Sequence, residues 1–146
     1  MRRTVFAWLI TACCLANPAF AKDDHVAIFK NVSGGVKIVR NETTLDATAG
    51  TTLFMSDKVI SDSEASGGIV FKDGTLVTVG SSTEILIRDY VFEPKESRYA
   101  FSMYLAKGTA IYSSGKIGKL SPESVKVNTP TATVGVRGTR FIIKAE

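Results

Sequence analysis

The chain has 146 residues, of which 45% are hydrophobic, with a formal net charge of +4. That length predicts one domain, and that hydrophobic share excludes a disordered chain. Arg2 and Arg3 supply two of the positive charges, so the remainder carries +2, without the clustered basic face that nucleic-acid binding requires.

The first residues read as an export leader. Arg2 and Arg3 form a positive start, Val5–Ala12 an apolar run, and Ala19-Phe20-Ala21 a small-residue cleavage site after Pro18. The run is too short to span a bilayer, so a cleaved signal peptide over 1–21 is expected and no retained transmembrane helix. Residues 22–31 then form a short lead-in to a domain over 32–146. Both cysteines, Cys13 and Cys14, lie in the leader. Ile10-Thr11-Ala12-Cys13 is a loose lipobox, so a lipoprotein anchored through Cys13 stands as the alternative to a periplasmic or secreted protein.

Beyond the leader the pattern is β throughout, with short Val-, Ile-, Thr- and Phe-rich runs separated by turn residues. Val36–Arg40 alternates and is followed by a turn at Asn41-Glu42. Thr51–Phe54 and Lys58–Ser61 flank Ser56-Asp57. Gly68–Phe71 and Leu76–Val79 flank Lys72-Asp73-Gly74-Thr75, where Asp-Gly predicts a type I′ hairpin. Glu84–Arg88 alternates after the Gly80-Ser81-Ser82 turn. Phe92–Arg98 is polar, contains Pro94 and reads as an exposed connection. Phe101, Met103 and Leu105 mark a strand, Lys107-Gly108 a turn, and Thr109–Tyr112 a further strand. Ser113–Glu123 is rich in glycine, serine and lysine and is expected to be a long loop. Val125–Val127 and Thr133–Ile143 close the domain. No stretch has a helical period, so the fold class is all-β, a compact β-roll or sandwich of short antiparallel strands.

Catalytic chemistry finds little support. With no cysteine beyond the leader and a single histidine, His25, near the start, a metal site or a Ser-His-acid triad lacks its groups. Ser113-Ser114-Gly115-Lys116 fits S-x-x-K, but without companion motifs it reads as chance. Asp57, Asp62, Glu64 and Asp73 are explained by turns. Gly115-Lys116 lacks the remainder of a phosphate loop. No catalytic residue, cofactor or metal is expected.

Gly135-Val136-Arg137-Gly138-Thr139 allows two readings. In the structural one, Gly135 and Gly138 permit a kink or close packing, and Arg137 reaches a turn aspartate such as Asp73. In the functional one, Arg137 and Arg140 contact an anion or partner. The structural reading is preferred.

Several pieces, in order, resemble the FecR domain family: Gly35–Arg40, Gly50–Ser61, the Asp-Gly hairpin Ile69–Leu76, Leu105–Ala110, and the closing Thr129-Pro130-Thr131-Ala132 with Val136-Arg137-Gly138-Thr139-Arg140-Phe141. The resemblance spans Val32–Ile143. It implies a compact all-β extracytoplasmic module that relays a signal from an outer-membrane receptor, with no catalytic residues to transfer. Ser56 stands where the family has glycine, which is expected to change the turn geometry. The chain shows neither the family's cytoplasmic segment nor its spanning helix, so a stand-alone exported domain is expected. Its function is then non-enzymatic binding or signalling in the cell envelope, with another envelope or outer-membrane protein as partner. A glycan- or ligand-binding domain is the alternative. Candidate contacts are Tyr90, Phe92, Arg98 and Tyr99 in one segment and Lys116 and Lys119 in the other. Asp73, Gly74, Gly135, Arg137, Gly138, Thr139 and Phe141 are motif residues with structural roles.

Overall fold

Alternating apolar and polar side chains place one face of nearly every strand against a shared core. The computed structural model describes residues 23–137 and 140–146. The leader with its Ala21 cleavage site and Cys13, and Gly138 and Thr139 of the closing motif, lie outside the described residues. The strands are β1 (Ala27–Ser33), β2 (Val36–Arg40), β3 (Thr43–Asp46), β4 (Thr52–Leu53), β5 (Lys58–Ser61), β6 (Ser66–Phe71), β7 (Leu76–Val79), β8 (Glu84–Glu93), β9 (Arg98–Ser113), β10 (Val125–Asn128), β11 (Thr133–Gly135) and β12 (Arg140–Ala145). A short helix, α1 (Lys116–Leu120), and 3-10 turns at Pro94–Glu96 and Pro122–Ser124 complete the described chain.

The strands run in the order β3-β2-β5-β8-β9-β7-β6-β1-β4, and the sheet curls into a half-barrel. All pairings are antiparallel except β10 with β9, which is parallel from Val125↔Phe101 to Asn128↔Tyr104. β9 is the spine. Its first part pairs with β8 and β10, and its last part with β7 and β12. Side chains from both halves meet in one apolar cluster. Phe71 of one half stands edge-on to Phe101 of the other at 4.9 Å, and Phe101 likewise to Tyr112 at 5.5 Å.

The fold is all-β as expected, but several local expectations are corrected. Residues 27–31, read as lead-in, form most of β1, with Ala27 and Phe29 buried. Lys107-Gly108 does not end a strand: β9 runs through it, and Gly108 takes φ +94° where the strand passes from one half of the sheet to the other. A Cβ there would lie 2.5 Å from the Cα of Thr83. Side chains supplement the backbone bonds at this crease. Ser61 Oγ donates to the Gly80 carbonyl at 2.6 Å and accepts the Thr83 amide at 2.9 Å, while Thr83 Oγ1 accepts the Thr109 amide at 3.0 Å. These bonds satisfy polar groups that would otherwise be buried unpaired.

The turns also exchange roles. Asn41 (φ +47°) and Glu42 (φ +66°) both sit in the left-handed region between paired Arg40 and Thr43, so the two-residue turn with primed geometry is there. At Asp73-Gly74 only Gly74 has positive φ. The Gly74 amide donates to the Phe71 carbonyl and the Phe71 amide to the Thr75 carbonyl, each at 2.9 Å. That is a three-residue loop with a glycine bulge, in place of the expected type I′ turn. Ser56 has φ +69°, so it occupies the left-handed region that glycine favours.

Ser113–Glu123 is not a long loop. α1 is too short to show a period, but its Ile117 is fully buried under the core. One apolar anchor thus ties down a segment whose composition reads as coil.

Candidate functional site

Asp73 is the most connected polar residue. It is 2% exposed. Its Oδ1 accepts the Tyr90 hydroxyl at 2.9 Å and the Thr75 amide at 3.3 Å. Its Oδ2 accepts Thr75 Oγ1 at 2.6 Å and the Ile117 amide at 3.1 Å. Its backbone amide donates to the Tyr90 oxygen at 2.8 Å, and its carbonyl accepts the Lys116 amide at 2.9 Å. One carboxylate thereby joins the β6–β7 turn, β8 and the start of α1. The expected Arg137–Asp73 fork does not form, because these donors occupy the carboxylate and Arg137 lies exposed beyond β11. Gly74 serves the turn itself. A Cβ on Gly135 would meet no described atom within 4 Å, so close packing does not require glycine there. Phe141 stacks on Tyr112 at 5.0 Å.

The arginine–aspartate fork in this protein is Arg40–Asp57. Nε donates to Oδ1 at 2.9 Å and Nη2 to Oδ2 at 2.7 Å, and the guanidinium lies 4.6 Å from the Phe54 ring centre. The Asp57 carboxylate raises the Arg40 pKa above its ordinary value. Asp57 also accepts the Phe54 amide at 2.9 Å, which locks the turn that holds Ser56. Two residues 17 apart in the chain gave no local signal of this pairing.

The candidate contact residues divide. Tyr90 is buried, with its ring 5.2 Å from Phe71 and its hydroxyl on Asp73, so it is removed from the contact set. Burial, then the neighbouring Asp73 charge, pushes its pKa far above the ordinary tyrosine value. Phe92 and Tyr99 are half-buried partners across β8 and β9, with ring centres 6.2 Å apart. Arg98 is exposed at the hairpin end, 3.1 Å from Glu93 and 3.7 Å from Glu96. Lys116 and Lys119 are exposed on α1.

Parallel pairing of β10 with β9 creates a surface that no sequence window displays. A groove of about 440 Å³ is lined by Asp89, Tyr99, Ala100, Phe101, Ser102, Glu123, Ser124 and Lys126. A second, of about 480 Å³, shares Glu123 and Lys126 and extends through Pro122, Val125, Thr133, Gly135 and Val136 to Arg137. Tyr99 and Arg137, read from separate motifs, thus border one continuous surface, whereas Lys116 and Lys119 do not line it. Glu123 ends the Ser113–Glu123 segment read as a contact, whereas Asp89 and Lys126 were missed because only the β9–β10 crossover assembles them. Glu123 is exposed and held below its usual pKa by its own backbone amide and then by the Ser121 hydroxyl, which donates at 2.8 Å. The surface therefore presents a fixed carboxylate between two cations and an aromatic ring. Among the described residues no three His, Cys, Asp or Glu side chains gather into a possible metal site.

A family model described as FecR protein matches residues 57–146, well over half of the chain. The match includes β5 to β12 and leaves β1 to β4 outside it. No curated protein and no solved structure matches the chain.

Proposed function

The chain belongs to the FecR family, a family of signalling-related domains, and on that premise we propose that it is an exported, non-catalytic binding module of the bacterial envelope. It contacts another envelope protein through the double groove around Glu123 and Lys126. The observation that carries this reading is the groove's make-up. A preorganised carboxylate, Lys126, Arg137 and the half-buried Tyr99 ring converge on one open surface. Mixed charge beside an aromatic ring suits a protein rim-and-anchor contact.

Export is part of the same reading. Cleavage after Ala21 would give a mature chain beginning at Lys22. Palmitate labelling that disappears in Cys13→Ser would replace this with the lipoprotein form.

The test places a photo-crosslinking residue at Lys126, and in a second strain at Lys37 on β2, three strands away from β9 in the sheet order. One envelope protein captured from position 126, and lost in Glu123→Lys, is the expected result. Equal capture from both positions, or capture indifferent to Glu123→Lys, overturns the assignment. Retention on purified peptidoglycan without a protein adduct would move the function to glycan binding.

A further inference from the structure

The two outer faces of the sheet differ in a way that the partner groove does not explain. On the β2-β5-β8 half, aliphatic side chains lie among paired charges. Lys37 faces Asp46 across the strands, Lys58 meets Glu84 at 3.2 Å, and Arg88 covers the Tyr104 ring at 4.3 Å. On the β1-β6-β7-β9-β12 half, strand register aligns Ile28, Val70 and Leu76 in one outward row and Ile111 and Ile142 in the next. Ile142 is 68% exposed and Ile28 38%.

Cations surround these aliphatics. Lys30 is exposed at the β1 bulge, Lys72 at the β6–β7 turn, and Arg140 and Lys144 flank Ile142 along the edge strand. Within the paired rows of this face no acidic residue occurs; Glu146 follows after the last paired residue, and the exposed Asp23 stands beside Lys72 at the rim. The chain also enters the sheet here. His25 and Lys72 border a shallow depression over Ile28 and Val70, and Lys72 Nζ donates to the Asp23 carbonyl at 3.1 Å.

We infer that this face docks reversibly on an anionic phospholipid bilayer. Unlike charges account for the basic frame, since cations near an anionic leaflet are attracted whereas a second copy of the same face would be repelled. Among the described residues the aliphatic centre has no exposed aromatic anchor of the kind that dominates protein interfaces. The partner groove lies on the β9–β10 side and stays available.

The test is co-sedimentation of the protein, as the cell exports it, with vesicles of phosphatidylcholine and phosphatidylglycerol in a three-to-one ratio at low salt. Binding is expected to those vesicles and not to phosphatidylcholine alone. Lys30→Ala with Lys144→Ala should lower the partition about 25-fold, at roughly fivefold per cation. Ile142→Ser should lower it about fivefold through lost apolar burial. Lys37→Ala with Lys95→Ala removes the same charge from elsewhere and should change it less than about threefold. Equal losses in the two double variants, or no binding to the anionic vesicles, overturn the inference. Capture by immobilised polyglutamate without vesicle binding would assign the face to an acidic protein instead. Circular dichroism of each variant confirms that the sheet is intact.

Discussion

Replacing Asp73 with asparagine tests whether one carboxylate holds three elements together. The shape is kept, but one of the two acceptor oxygens becomes an NH2 donor. If the amide nitrogen takes the place of Oδ2, it opposes the fixed Ile117 amide and loses the short Thr75 hydroxyl bond. If it takes the place of Oδ1, it opposes the Thr75 amide and forces the Tyr90 hydroxyl to turn away. Either way, about two charge-assisted bonds are lost, each worth about 1.5–3 kcal/mol. Partial relaxation brings the expected loss to about 3 kcal/mol, a large share of the roughly 5–15 kcal/mol available to a domain. Urea titration followed by far-UV circular dichroism reads this as a lower midpoint at unchanged slope. A double-mutant cycle with Tyr90→Phe should give a coupling of at least about 1 kcal/mol, because the two side chains share a bond. A loss below about 1 kcal/mol for Asp73→Asn would refute the reasoning and mean that the hydroxyls and amides find other partners.

Three further outcomes are expected. Gly108→Ala should cost more than about 3 kcal/mol, because the new methyl meets the Thr83 backbone at a positive φ, and thermal unfolding reads it directly. Ser56→Gly should raise stability by about 0.5–1 kcal/mol in urea, since relief of a left-handed serine exceeds the added chain entropy. Stability should also fall as the medium becomes alkaline. Burial raises the pKa of both Tyr90 and Tyr112, so the unfolded chain releases protons above about pH 10 that the folded protein retains. The loss is about 1.4 kcal/mol per pH unit for a tyrosine between its unfolded and folded pKa, absent below about pH 10, and Tyr90→Phe should lessen the slope.

The all-β class, most strand positions and the family were legible because they depend on local pattern. Alternation at period two appears in any window covering Glu84–Arg88 or Phe101–Leu105, and the closing motif around Val136–Phe141 is contiguous. Errors fell where an isolated long-range contact outweighed local composition. Ile117 buries one side chain and turns a glycine- and serine-rich stretch into a packed helix. Gly108 looks like a turn, yet pairing on both flanks carries β9 straight through it. Ser56 occupies the left-handed region, in a turn held by the neighbouring Asp57 through its bonds to Phe54 and Arg40.

The composition and order of residues by themselves determined that this chain forms strands and that its apolar side chains face one core, since both follow from periodicity and burial. Only the tertiary structure decided which charges meet. The Asp73 cluster, the Arg40–Asp57 fork and the β9–β10 groove join residues far apart in the chain. Strand register and crossover direction place them together, and these are set by the packing of the whole sheet.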